Sequence, residues 1–107
     1  SVQASSNLAE IFDSSGPECE NEAVLTAFAS DNVGVTAVTA TWSGLGGSPK
    51  AFTKGAGNTW TATFGPFSGV VTPNQLVIIT ITARDAAGNT RATNVQVTLW
   101  GQGMCLI

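Results

Sequence analysis

Apolar and polar residues alternate with period two along most of this chain. Residues 77–84 and 92–100 form two long alternating runs joined by Asp85-Ala86-Ala87-Gly88-Asn89. A five-residue loop carrying Asp, Gly and Asn between such runs predicts a β-hairpin. An Asp31-Asn32-Val33-Gly34 turn joins two earlier runs, 23–30 and 35–43. In the second of these, Val38, Ala40 and Trp42 fall on one face and Thr39 and Thr41 on the other. Residues 59–65 place Trp60, Ala62 and Phe64 inward and Thr61 and Thr63 outward. In the last two runs Ile79, Ile81 and Ala83, then Val95, Val97 and Leu99, make the inner faces. Residues 50–54 predict a short edge strand whose lysines discourage edge pairing, and residues 10–13 a short first strand. No segment shows the 3.6-residue period of a helix.

Seven strands separated by short turn signals predict an all-β chain folded as an immunoglobulin-like or fibronectin III-like β-sandwich. The 107 residues suit a single domain. Residues 1–13 divide into a polar, poorly ordered linker and the first strand, and residues 14–107 form the sandwich. Residues 14–22 hold Gly16, Pro17 and three glutamates and read as a loop. Residues 66–75 read as a longer crossover. Phe28 and Ile78 fall on outer faces, which predicts a neighbouring domain that covers them.

Composition narrows the class. Only 10% of residues are charged and the net charge is −3, with no basic cluster. Nucleic acid and anionic membrane surfaces are therefore not expected partners. No run approaches the roughly 20 apolar residues that a membrane helix needs. The chain opens at Ser1 with neither Met nor a signal peptide, as expected of a processed protein or an excised domain. Its two cysteines, Cys19 and Cys105, lie just before the second strand and just after the last. In a sandwich both reach the same pole. An even count in a threonine-rich, weakly charged β domain favours a Cys19–Cys105 disulfide and an oxidising compartment. Trp42, Phe64, Phe67 and Trp100 are expected near that pole.

The chain lacks His and Tyr altogether, which removes the usual general base and the His-based nucleophile pairs and metal sites. Glu18, Glu20 and Glu22 lie along one extended loop and do not oppose each other across a cleft, as glycoside hydrolysis demands. No catalysis and no cofactor are expected. Asp31, Asp85 and Asn89 belong to turns expected at the pole opposite the cysteines, where they are candidates to converge. Oxygen ligands there would suit Ca²⁺, but two carboxylates are few, and Asp and Asn serve equally as turn residues beside Gly34 and Gly88. The turn reading is preferred. Lys50 and Lys54 raise an isopeptide cross-link, against which stands their place in an exposed edge segment. Of the three tryptophans, Trp42 and Trp60 belong to core faces. Trp100 follows inward Leu99 and is the exposed aromatic candidate for stacking on a ligand, with Ile78 as a second candidate contact.

These residues together resemble a known group. The pattern runs from Cys19 through Leu25-Thr-Ala-Phe-Ala-Ser-Asp31-Asn-Val-Gly-Val35 and Trp60-Thr-Ala-Thr-Phe-Gly-Pro-Phe67. It ends with Ile79-Thr-Ile-Thr-Ala-Arg-Asp85-Ala-Ala-Gly-Asn89 and Cys105. It is similar to the bacterial Ig-like (fibronectin III-like) domains of secreted and membrane-anchored surface proteins. The resemblance implies a non-catalytic spacer, stalk or interaction module that is extracellular, on the cell surface or periplasmic. Its implied partners are the neighbouring domains of the parent chain, or a surface protein or glycan. The alternative is a ligand-binding module, or the sensor of a transmembrane receptor such as a kinase. No ligand motif is carried over, because the group shares none.

Overall fold

The computed structural model describes residues 2–13, 19–30, 33–67, 69 and 74–101. Among the described residues there is no helix. The strands are β1 (Val2–Ser6), β2 (Glu10–Phe12), β3 (Ala23–Ala29), β4 (Val35–Thr41), β5 (Lys50–Ala51), β6 (Thr53–Lys54), β7 (Thr59–Phe64), β8 (Asn74–Asp85) and β9 (Thr90–Trp100). They form two sheets, one ordered β1-β3-β7-β6 and the other β2-β9-β8-β4-β5. All pairs are antiparallel except β2 with β9, which is parallel.

The alternation read in the sequence becomes the interior. Trp60, Ala62 and Phe64 of β7, Ile79, Ile81 and Ala83 of β8, and Val95, Val97 and Leu99 of β9 are all buried. So are Val38 and Ala40 of β4 and Ala23, Leu25, Ala27 and Ala29 of β3. Side chains two apart share a face, so one register serves a whole strand. Fully burying a large aliphatic or aromatic side chain contributes roughly 1.5–3 kcal/mol. That makes Phe64, Ile11, Leu25, Ile79, Ile81 and Leu99, each fully buried, the main anchors between the layers. Outward positions are largely threonine, as on Thr59, Thr61 and Thr63 of β7.

Three expectations require correction. The start of the chain is not a loose linker: Val2–Ser6 is a strand in register with 25–29 of β3. Small and polar residues give that segment little pattern of its own. Its partner supplies the pairing, and Ala4 and Val2 rest half-buried against the core. The chain then kinks at Asn7, whose side-chain carbonyl accepts the Val24 N–H at 2.7 Å, and crosses to the other sheet as β2.

The second correction concerns 50–54. It is not one edge strand but two two-residue pieces in different sheets. Ala51 and Lys50 pair with Thr39 and Ala40 of β4, whereas Thr53 and Lys54 pair with Thr61 and Trp60 of β7. Between them Phe52 is buried, and its N–H donates to the Val38 carbonyl at 2.9 Å. One apolar side chain held between the layers lets the chain change sheets there. With β1 added and this segment split, the described residues contain nine strands and not seven.

The third concerns the aromatic cluster. Trp42, Phe64 and Phe67 do gather, with ring centroids 4.9 to 6.2 Å apart in edge-to-face pairs. Trp100 does not join them. It stacks on Phe12 at 6.1 Å, because the parallel β2–β9 pairing sets Phe12 directly beside it.

Candidate functional site

Three places on the molecule bring polar or aromatic groups together. The first is the pole where β8 turns into β9. Asp85 ends β8 and is 4% exposed. Its Oδ1 accepts the N–H groups of Ala87 and Asn89, both at 2.9 Å. Its Oδ2 accepts the Asn89 side-chain N–H at 3.3 Å. The backbone closes the same turn: Asp85 N–H donates to the Asn89 carbonyl at 3.0 Å and Gly88 N–H to the Asp85 carbonyl at 3.1 Å. Gly88 takes φ +90°, which an L side chain rarely adopts. The neighbouring turn is tied in by Ala86 N–H to the Gly34 carbonyl at 3.1 Å.

This carboxylate is therefore occupied by N–H donors that build the hairpin. Of the three residues considered for Ca²⁺, Asp85 and Asn89 are brought together, but as hydrogen-bond donor and acceptor. Asp31 lies outside the described residues. Among the described residues no group of three or more acidic, His or Cys side chains stands together.

The second place is the outer face of the β2-β9-β8-β4-β5 sheet. Leu76 and Ile78 are exposed there, and Thr98 and Gln96 sit opposite them on β9. Trp100 occupies the same face but is only partly exposed. Its indole N–H donates to Glu10 Oε2 at 2.8 Å, and Phe12 covers one side. The ring thus helps hold the short β2 strand against β9 and is not an open stacking platform. Phe28, expected outside, is exposed on the opposite sheet.

The third place was not singled out from the sequence. On the open side of the sandwich β6 pairs only with Trp60 and Thr61, so β7 continues past it to Phe64. A cleft of about 290 Å³ lies there, lined among others by Trp42, Gly47, Lys50, Thr63 and Phe67. A second depression of about 410 Å³ adjoins it, lined by Lys50, Thr53, Thr61 and Thr63 among others. Lys50 and Thr63 belong to both. The Trp42 indole is set by its own loop: its N–H donates to the Gly46 carbonyl at 3.2 Å, and its backbone N–H donates to Ser48 Oγ at 3.1 Å.

Lys50 takes an inward position in β5. It stands two residues before buried Phe52 and opposite buried Ala40, so its stem starts on the inner face and leaves through the open edge. Lys54 pairs with inward Trp60. Its ammonium donates to the Gly57 carbonyl at 2.7 Å and stands 6.0 Å from the Trp60 ring centre. Both lysines are exposed.

Cys19 is 3% exposed and there is no free cysteine among the described residues. Next to it, the Glu20 carbonyl accepts the Phe12 N–H at 2.9 Å, and Asp13 N–H donates to the Trp100 carbonyl at 2.9 Å. Cys19 thus sits at the pole where β9 ends. Cys105 lies outside the described residues. No protein-family model matches the chain, and neither does any curated protein or solved structure.

Proposed function

We propose that this chain is a non-catalytic, extracytoplasmic immunoglobulin-like module that spaces or displays neighbouring domains of a secreted or surface protein. The observation that carries this reading is the placement of the first and last strands. β1 begins beside Ala29, at the pole of Gly34 and Asp85, and β9 ends beside Asn74 at the other pole. The molecule is 48 Å along its longest axis. A module entered at one pole and left at the other separates what is attached to it, as a spacer must.

The sheet order supports the immunoglobulin-like assignment. In that fold the first, second, fifth and fourth strands make one sheet and the third, sixth and seventh the other. Here β1-β3-β7-β6 takes the first arrangement and β4-β8-β9 the second, with β2 and β5 as short additions at its two edges. A Cys19–Cys105 bridge would fasten the pole where β9 leaves the sandwich, and such a bridge persists in an oxidising compartment. Closing a loop of that length contributes about 4–5 kcal/mol as an upper figure.

Two measurements test the reading. Donor and acceptor dyes attached at positions 2 and 101 should report a separation of roughly 30–35 Å, the reach of the ten residues that lead from position 2 to Phe12, which lies beside Trp100. A separation under about half of that contradicts the in-line geometry. Protein taken from its native cells under alkylating conditions should carry no reactive thiol until reduced. Two alkylated cysteines before reduction would remove the basis for an extracytoplasmic location.

A further inference from the structure

We propose that the two depressions on either side of Lys50 are one binding groove, and that its ligand is an acidic oligosaccharide bearing uronic-type carboxylates. The inference is independent of the spacer role. The groove exists because β6 stops after two residues, leaving the rim of β7 uncovered beside the β5 edge of the opposite sheet.

Its lining has the chemistry of sugar recognition. At one end stand two aromatic side chains, Trp42 and Phe67, each partly exposed. Their mutual edge-to-face packing holds them in place. Along the rest run the hydroxyls of Thr63, Thr61 and Thr53, each able to donate and accept. Thr53 and Thr61 are register partners, and Thr63 lies two residues further along the same strand face. A row of hydroxyls ending on aromatic rings suits a ring-shaped ligand with polar edges and an apolar face. An added peptide strand is less well served, because β5 and β6 each offer only two residues of edge.

Lys50 makes the ligand anionic. Among the described residues no Asp or Glu lines either depression. Lys50 is held through its backbone in the β5 pairing with Ala40, and among the described residues no ion pair or hydrogen bond engages its ammonium, in contrast with that of Lys54, which is tied to Gly57. A cation with no counter-charge among the described residues, in the middle of the groove of a chain whose net charge is −3, is a local attractor for a carboxylate. Edge lysines also guard against strand pairing, and that duty alone would not place one between hydroxyls and aromatics. Each depression is about the size at which small-ligand sites begin, roughly 300 Å³.

The test uses the folded chain and two probes of identical linkage: an α-1,4-linked galacturonic acid tetramer and its fully methyl-esterified form. Backbone amide and tryptophan indole resonances are followed during titration. The acidic tetramer should shift the Trp42 indole signal and the amides of Lys50 and Thr63. The ester should bind at least about tenfold more weakly, the usual loss when a charge-assisted hydrogen bond is removed. Lys50→Met, which keeps the apolar stem, should lose binding of the acidic tetramer by a similar factor and leave the melting temperature unchanged. Equal binding of acid and ester overturns the proposal. So do shifts confined to another surface, or the absence of any shift at ligand concentrations of about 10 mM.

Discussion

Asp85 and Asn89 are joined three times over. The carboxylate of Asp85 accepts both the backbone and the side-chain N–H of Asn89, and the Asp85 N–H donates to the Asn89 carbonyl. The two residues close the hairpin that connects the longest strands of the molecule. A buried acceptor bound to several N–H groups is costly to delete, since each donor left behind loses its partner. Asp85→Ala should therefore lower stability by about 2–3 kcal/mol, read as a shift in the urea midpoint. Asn89→Ala, which keeps both backbone bonds, should cost no more than about 1 kcal/mol. Because N–H donors already occupy the carboxylate, added Ca²⁺ should leave the melting temperature unchanged; a rise would show that the cation displaces them.

Gly65 stands where no side chain fits. Its φ is +99°, and a Cβ built there would lie 2.6 Å from the Asn21 carbonyl oxygen and 3.4 Å from Ile11 Cδ1. The left-handed conformation alone costs an L residue about 1–2 kcal/mol, and backbone cannot retreat as a flexible side chain can. Gly65→Ala should destabilise by at least about 2 kcal/mol. Gly46→Ala, with open space at its Cβ and no positive φ, should be nearly neutral. Chemical denaturation of the two variants side by side checks the contrast.

Phe52 holds the crossing between sheets. It is buried between two exposed neighbours, Ala51 and Thr53, and β5 and β6 have only two residues each. Phe52→Ala should cost about 3 kcal/mol. In that variant amide exchange should also accelerate selectively at position 52, whose backbone N–H is bonded to the Val38 carbonyl in the unsubstituted protein. Uniform acceleration over the whole sandwich would mean that the crossing is not a separable unit.

Trp100 and Glu10 tie the parallel edge. Glu10→Ala removes a 2.8 Å hydrogen bond to the indole and should cost about 0.5–1.5 kcal/mol. Trp100→Ala also removes the ring beside Phe12 and should cost about 2 kcal/mol. Equilibrium unfolding gives the magnitudes. The indole N–H resonance of Trp100 in Glu10→Ala should move towards the position of a solvent-exposed group.

Reduction of the proposed Cys19–Cys105 bridge should lower stability by about 2–5 kcal/mol. If the bridge acts by restricting the unfolded chain, the strand register of the folded protein is unaffected, and amide chemical shifts in β3 and β7 should stay in place. Loss of dispersion throughout the spectrum would instead show that the sandwich cannot persist without it.

Much of the candidate chemistry was readable and some was not. Ile78 and Phe28 are exposed as their parity requires. Asp85 and Asn89 meet as turn chemistry implies. Trp100 has outward parity, yet what occupies its flank is Phe12, a residue 88 positions away brought alongside by a parallel pairing. No local pattern encodes that contact. The groove around Lys50 was missed for the same reason. Lys50, Trp42 and Thr63 belong to β5, to the loop after β4, and to β7, which lie in different sheets, and only the layer packing sets them side by side.

Alternation is a local property, fixed by the two-residue repeat of the extended backbone. It was enough to assign β3, β4, β7, β8 and β9 and to say which of their side chains face inward, from Trp60 and Phe64 to Val97 and Leu99. Glycine and Asp/Asn positions marked the turns, again because their constraints act within a few residues. What only the tertiary structure decided is where weakly patterned segments go. Val2–Ser6 is a strand because β3 offers it an edge, and 50–54 divides between two sheets because Phe52 finds room between them. Such segments take their conformation from distant partners, and the free energy that fixes it is shared across the interface and does not reside in their own residues.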